Sequence, residues 1–421
     1  MIVSLIVKNI LTLGILLLFG FQLSSAYTLK FNEAGKFKIV QLTDIHLGYD
    51  DEKDQKSLNV ISTVLDHEKP DLVFITGDAV SGYLWDDQEQ NFYASKYQKM
   101  AELLTKYQIP WALTAGNHDS EGDLTRDQIS EFDRSFALSL TQQKIPELSH
   151  TFNYQLPVYD KNGESVLFRI WTVDSGEGDG CPDGFGYDCV RNDQIDWMRQ
   201  ELNQLPDEDP SKRRGILFMH IPIQEYMNLY NDENIYGEDG EYICCQSVNT
   251  GLFQLIQETN AVDWISSGHD HDNDYYGQYK GINMAYGRKT GYGQYGPNKL
   301  LRGARVFEIS INNEYDVKTW IRQEDGSIDY QKKLSQKPFL SFSQEYCCEE
   351  IVQQQLYNFK YTIVFLIGMG YFLIDSLLQR RRQRSNFHKE KLSIMQSQVP
   401  SQQQETNSNQ NISESNVTIL L

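Results

Sequence analysis

An α/β fold built around a largely parallel sheet is the class this sequence predicts, and three features predict it. Short apolar runs rich in β-branched and aromatic residues recur along the 421-residue chain. Longer amphipathic stretches separate them, the alternation expected of strands joined by helical crossovers. Five of the runs then stop at carboxylate, carboxamide or imidazole side chains, and ligand sites in open α/β sheets lie at the carboxyl ends of strands.

The first run, "FKIVQL" (37–42), breaks off at Thr43 and delivers Asp44 and His46. Residues 54–67 have helical spacing, and "DLVFITGD" (71–78) is a second buried strand ending in Gly77 and Asp78. Residues 90–107 again read as helix. "IPWALTAGNHD" (109–119) is the third strand, and its end carries Gly116, Asn117, His118 and Asp119. A short helix is expected over 125–138, then strands at "VLFRIWTVD" (166–174), "GILFMHIP" (215–222) and "VDWISSGHD" (262–270). The second of these delivers His220; the third delivers Gly268, His269, Asp270 and His271. Helices are expected over 192–204 and 249–260, and later strands near 282–287, 303–310 and 315–321. Polar insertions at 175–191 and 224–248 are long enough to be functional loops.

The strand ends hold five of the chain's eight histidines. Imidazole and carboxylate without thiolate suit Zn, Fe, Mn or Ni. The candidates are Asp44, His46, Asp78, Asn117, His220, His269 and His271. So many ligands are too many for one ion with an open position and suit two ions sharing a carboxylate. Gly77, Gly116 and Gly268 each precede a ligand, where the backbone has to turn off the strand end.

The series "DIH", "GD", "GNHD", "MH" and "GHDH" resembles the signature of the calcineurin-like metallophosphoesterases, over residues 36–320. "GHDHDNDYYG" and "YGRKTGYGQYG" (286–296) resemble the purple-acid-phosphatase-like branch of fungi and plants. The resemblance implies a β-sandwich flanked by helices (αββα) and two divalent ions, Fe, Mn or Zn. It implies that Asp44, His46 and His271 hold one ion, that Asn117, His220 and His269 hold the other, and that Asp78 bridges them. His118 then faces the substrate, and Asp119 orients it by accepting its other ring proton. The implied reaction is hydrolysis of phosphomonoesters, phosphoproteins among them, by a hydroxide bridging the two ions. A phosphodiesterase or nucleotide hydrolase on the same scaffold, and a non-catalytic metal-binding ectodomain, are the alternatives. Arg288 is a candidate substrate contact. Departures from the branch are Ser81 where a metal-binding tyrosine is expected, with Tyr83 two residues on, and Tyr276 and Ala285 where cysteines are expected. Asp270 is expected to flank the site.

A formal charge of -20 excludes a general nucleic-acid or anionic-lipid binder. Phosphate chemistry on such a chain needs local positive charge, and bound metal supplies it. Residues 1–26 have the layout of a secretory signal peptide. The catalytic domain is expected over 27–345 and a juxtamembrane linker over 346–360. Residues 361–378 are apolar enough for a single transmembrane helix, with Arg380, Arg381, Arg382 and Arg384 marking the cytosolic side. A disordered tail is expected over 379–421. The expected topology puts the catalytic part in the lumen or outside the cell. Cys181, Cys189, Cys244, Cys245, Cys347 and Cys348 then share an oxidising compartment. Six cysteines allow fifteen full pairings, and "CPDGFGYDC" could close on itself.

Overall fold

Period-two burial sorts the strand residues between two apolar layers. In "GILFM", Ile216 and Phe218 join one core cluster, while Leu217 and Met219 join another. Trp264 and Ile265 divide in the same way. Successive side chains of a strand point to opposite faces, so such a sheet is covered on both sides.

The computed structural model describes residues 27–182, 184–231, 235–312, 315–334, 344, 346–348, 369–370 and 372–382. The chain divides into two units, Met1–Val352 and Gln353–Leu421. In the first, β1 (Lys36–Leu42) is followed by α1 (Asp51–Glu68), β2 (Leu72–Thr76), α2 (Phe92–Tyr107), β3 (Trp111–Thr114) and α3 (Arg126–Asp133). Then come β4 (Tyr154–Tyr159), β5 (Val166–Thr172), α4 (Asn192–Gln204), β6 (Gly215–Phe218), α5 (Glu225–Asn231) and β7 (Ile235–Tyr236). The rest are α6 (Leu252–Thr259), β8 (Trp264–Ser267), β9 (Tyr276–Tyr279), β10 (Ile282–Tyr286), β11 (Gly303–Ser310), β12 (Asp316–Gln323) and β13 (Ile328–Asp329).

The strands form a six-stranded sheet, β13-β12-β11-β1-β2-β3, and a seven-stranded sheet, β4-β5-β6-β8-β10-β9-β7. The sheets pack through aromatic side chains, with Phe74 stacked on Phe218 at 4.3 Å and Phe218 and Trp264 both edge-on to Phe307. A polar bridge also joins them. The Gln41 amide donates to Thr76 Oγ1 (3.0 Å) and Ser267 O (3.1 Å), and its oxygen accepts from Ser266 Oγ (2.6 Å). Apolar residues of α1 and α2 pack on the first sheet, and those of α4 and α6 on the second. Asp50 caps α1 by accepting from Lys53 N, and Asp51, Glu52 and Asp54 fill its first turn, where the helix dipole favours negative charge.

The parallel expectation holds in the middle of each sheet: β1-β2-β3 and β5-β6-β8-β10 run parallel. It fails at the flanks, where β11, β12 and β13 continue one sheet antiparallel and β4, β9 and β7 close the other. The family-pattern cysteine positions, Tyr276 and Ala285, are direct partners across β9 and β10. Tyr276 instead stacks on Tyr236 at 5.3 Å and lies under the Arg305 guanidinium.

The expected signal segment, 1–26, lies outside the described residues, as do 349–368 of the expected linker and span and 383–421 of the expected tail. Residues 372–382 are helical, so the first four tail residues continue a helix. No described helix is long and apolar enough to cross a membrane.

Candidate metal centre

Backbone pairing continues past the strand ends and draws five loops to one rim. Asp44 N donates to Gly77 O (3.1 Å), His46 N to Asp78 O (2.9 Å) and Gly268 N to His220 O (3.1 Å). These bonds join the loops after β1 and β2 and those after β6 and β8; His118 N, donating to Asp78 Oδ1 (2.9 Å), brings in the loop after β3, and His269 N, donating to Asp44 Oδ2 (3.1 Å), links the two sheets. The turns are tight. Asp44, His46, Asp78 and His269 hold left-handed φ values of 51°, 54°, 49° and 80°. Such conformations in non-glycine residues cost roughly 1–3 kcal/mol each and gather at functional sites.

Of the three glycines expected to turn off the strand ends, only Gly77 has a positive φ, 88°. The other two are glycine for space. A Cβ at Gly116 would collide with the Asp78 carboxylate, and one at Gly268 with Thr43 Oγ1.

The candidate ligands fall into two adjoining groups. Asp44, His46, Asp78 and His271 each offer an atom, and these four lie within 4.8 Å of one another. His46 Nε2 is 3.1 Å from His271 Nε2 and 3.5 Å from Asp78 Oδ2, and His271 Nε2 is 3.5 Å from Asp44 Oδ1. In the second group, His220 Nε2 is 3.3 Å from Asp78 Oδ2 and 3.0 Å from Asn117 Oδ1, which is 3.0 Å from His269 Nδ1. Asp78 Oδ2 belongs to both. Ligand atoms about 2.0–2.2 Å from a shared ion are separated by about 3.0–3.6 Å, so these spacings fit two ions with a common carboxylate.

Hydrogen bonds behind the rings set the tautomers. His220 Nδ1–H donates to Thr76 O (2.8 Å) and His271 Nδ1–H to Tyr295 O (2.9 Å), which makes Nε2 of each ring the nitrogen that faces the centre. His46 Nδ1 rests on Ser81 Oγ at 3.1 Å. Ser81, the departure from the tyrosine pattern, thus supports a ligand from behind. Burial pushes His269 down to about 3 and His271 down to about 4. Burial acts the same way on His220, but Asp78 overrides it and lifts that imidazole to about 9. A buried centre with two carboxylates calls for positive charge, and two divalent cations fit it.

His118 stands beside the ligands. Its backbone N–H donates to Asp78 Oδ1 (2.9 Å), its ring lies 5.6 Å from that of His46, and its Nε2 faces Gln294 Nε2 at 3.4 Å. Asp119 does not hold this ring. Its fully buried carboxylate accepts from the backbone N–H of Asp78 (2.8 Å), Val80 (3.1 Å) and Gly116 (2.7 Å). Glu121 holds His118 Nδ1 instead. The cause is local geometry. Residues 119–121 form a 3₁₀ turn with His118 at its cap, and side chains three apart eclipse in such a turn while neighbours diverge.

Arg288 is not placed to touch a substrate. It is 1% exposed, and its guanidinium is spent on Asp274 Oδ2 (2.6 Å), Leu301 O (2.8 Å) and Asp329 Oδ2 (3.2 Å). Asp270 accepts from Tyr286 Oη (2.6 Å) and Cys244 N (3.2 Å), flanking the centre as expected.

Sequence reasoning passed over Arg126. It pairs with Asp174 and donates to Ala115 O (2.9 Å) and Gly116 O (2.7 Å), bracing the Asn117 loop. Disulfides join Cys181 to Cys189, Cys244 to Cys348 and Cys245 to Cys347. The 181–189 loop closes on itself, and the latter two pin the 224–248 insertion. Three disulfides mark an oxidising compartment, extracellular or along the secretory route.

Residues 37–273 match the family described as calcineurin-like phosphoesterase, a span that contains every candidate ligand. The chain is 28% identical over 337 residues to "Probable inactive purple acid phosphatase 29" of Arabidopsis thaliana, covering 71% of this chain and 85% of that protein. It is 28% identical over 368 residues to "Probable inactive purple acid phosphatase 14" of the same plant, with coverages of 77% and 90%. It is 31% identical over 353 residues to "Phosphatase DCR2" of Saccharomyces cerevisiae, 74% of this chain but 58% of the yeast protein.

Proposed function

The chain belongs to the calcineurin-like phosphoesterase family, and from that premise we propose that it is a dinuclear-metal hydrolase of phosphate monoesters. One observation carries the proposal: side chains from five separate loops meet at the ligand-to-ligand spacings of two shared ions, with His118 alongside. Asp44, His46 and His271 would hold one divalent ion, Asn117, His220 and His269 the other, and Asp78 both. When bound, such ions polarise phosphoryl oxygens and make water more acidic.

The chain's own residues supply the rest. Thr76 O and Tyr295 O fix the tautomers of His220 and His271. Glu121 accepts from His118 Nδ1–H, and the charge of Asp78, then the bond and charge of Glu121, outweigh burial and raise this imidazole above its usual value, so that in its protonated form Nε2 carries a proton toward the mouth of the site. Donation of that proton to the departing alkoxide is general acid catalysis, worth typically about 10² to 10⁴-fold.

Two plant relatives carry "inactive" in their names, which favours a second reading, a metal-binding domain without turnover. The purified protein, loaded with Fe, Mn or Zn, separates the two on a panel of phosphate monoesters and diesters. Turnover that is lost in His118→Ala at unchanged metal content supports the hydrolase. Failure of the native protein on every ester and metal supports the second reading. Diesters turned over faster than monoesters would assign a phosphodiesterase.

The proposal extends to place. Residues 361–378 anchor the chain in a membrane, and the disulfide-bearing part faces the lumen or the outside. Protection of that part from protease in sealed microsomes tests this.

A further inference from the structure

Three tyrosines border the centre, each packed on a different imidazole. Tyr295 stacks on His271 at 4.2 Å, Tyr187 meets His269 edge-on at 4.3 Å, and Tyr83 meets His118 edge-on at 5.0 Å. Tyr83 and Tyr295 keep 38% and 55% of their surface exposed. The rings therefore flank both ion pockets and the proton donor, and two of them present free surface to whatever the centre binds.

The groups between these rings are acidic. Tyr295 Oη donates to Glu241 Oε2 (2.8 Å), an arrangement that makes the ring more electron-rich. Glu121, on His118, is 40% exposed. Ser120 Oγ donates to Glu177 Oε1 (2.6 Å), which places another exposed carboxylate on the same loop side. The basic side chains of the motif loops are committed elsewhere. Lys289 Nζ donates to Asp44 O (3.0 Å), Arg288 pairs with Asp274, and Arg126 pairs with Asp174.

A charge count sharpens the point. Two divalent cations, the carboxylates of Asp44 and Asp78 and a phosphate dianion sum to zero. The remaining carboxylates then act on the other part of the substrate. Electron-rich ring faces among carboxylates attract an alkylammonium cation, the chemistry by which quaternary ammonium groups are recognised.

We propose, building on the phosphatase reading, that the leaving group carries an alkylammonium cation, so that the preferred substrate is the phosphate monoester of a small amino alcohol. The P–O bond to the alcohol breaks, water supplies the oxygen that stays on phosphorus, and the alcohol leaves with a proton.

The test compares three esters of unactivated alcohols that differ in the charge of the leaving group: phosphocholine, glycerol 1-phosphate and 3-phosphoglycerate. The expected order of kcat/KM is phosphocholine first by about tenfold and 3-phosphoglycerate last by about tenfold, with the difference residing in KM. Tyr83→Leu and Glu177→Gln each reduce the phosphocholine-to-glycerol phosphate ratio by about fivefold. Calorimetric titration with choline, at fixed ionic strength, gives weaker binding in both variants than in the native protein. A flat or reversed order with glycerol phosphate still turned over overturns the inference and leaves the phosphatase reading standing. No turnover of any ester with any metal overturns both.

Discussion

The division of labour between Asp119 and Glu121 gives the sharpest prediction. Asp119→Ala removes the acceptor of three buried backbone N–H groups, those of Asp78, Val80 and Gly116. Hydrogen bonds to a charged group contribute about 1.5–3 kcal/mol each, so the loss is roughly 6 kcal/mol. That contribution is offset, because burial, and then the charge of Asp78, lift Asp119 from 3.8 to about 6 even with these bonds in place. What remains is the cost of leaving three buried N–H groups unpaired, about 1 kcal/mol each, so the net cost is about 3 kcal/mol. At roughly 2 °C per kcal/mol for a domain of this size, Tm falls by about 6 °C, and bound metal falls with it because Asp78 and Asn117 lose their shared brace. Glu121→Gln does the opposite. Its carboxylate is exposed and holds one ring, so Tm moves by less than about 1 °C while kcat drops at least about tenfold with metal content unchanged. Calorimetry, metal analysis and steady-state rates on the two variants decide between clamp and orienting group. If Asp119→Ala keeps its Tm and its metal and loses only kcat, the clamp assignment is wrong.

Three further outcomes follow from the same contacts. Gly116→Ala drives a Cβ into the Asp78 carboxylate and backbone, costing about 3 kcal/mol and most of the bound metal, read by Tm and metal stoichiometry. Ser81→Ala leaves His46 Nδ1 without its hydroxyl and weakens metal binding about 10 to 100-fold in chelator competition. Asp174 titrates low because the Arg126 charge, then that of His150, outweigh burial and hold it at about 2. A carboxyl depressed in the fold stabilises above its unfolded value near 3.9 and loses that contribution as pH falls toward about 2, here about 2 kcal/mol. The Tm gap between the native protein and Asp174→Asn therefore narrows as pH falls from 4 to 2.

What could be read from the sequence depended on the range of the physics. Strands β2, β3, β6 and β8 are buried throughout and β1 is buried from Ile39 to Leu42, so they appear as mostly apolar runs, and their polar ends stand out by contrast. Strand β4 does not. It alternates buried and half-buried residues and contains Pro157, tolerable because it forms an edge of its sheet. Strands β7 and β13 are two residues long, and β9 carries Gly277 within it, so local propensity gives them no signal. The antiparallel return of β11 beside β1 is a pairing across some 270 positions, which no local pattern encodes. Arg288 shows the same limit. In a Gly- and Tyr-rich loop it looks like a free cation, yet Asp274 and Asp329, 14 and 41 residues away, neutralise it. The sequence supplied the ligand types. Which carboxylate steadies His118, and which holds the loops, follows from a 3₁₀ turn whose side-chain directions emerge only on folding.

That contrast bears on how the centre is held. Four non-glycine residues sit in left-handed backbone, together of order 4–12 kcal/mol unfavourable, around two buried carboxylates. A domain is stable by only about 5–15 kcal/mol, so the rim needs restraint from outside its own residues. The strand ladders continue past the sheet edge through Gly77 O, Asp78 O and His220 O. The Asp119 carboxylate gathers three N–H groups, and Arg126 grips the carbonyls of Ala115 and Gly116. These restraints fix the ligand spacing through the backbone, not through the ligand side chains alone. An ion that binds only the folded arrangement then adds stability by mass action, about 4 kcal/mol at a thousand times its dissociation constant. Preorganisation and metal-linked stability are therefore the same fact seen from the backbone and from the ligands, and weakening either Asp119 or Arg126 has to lower both together.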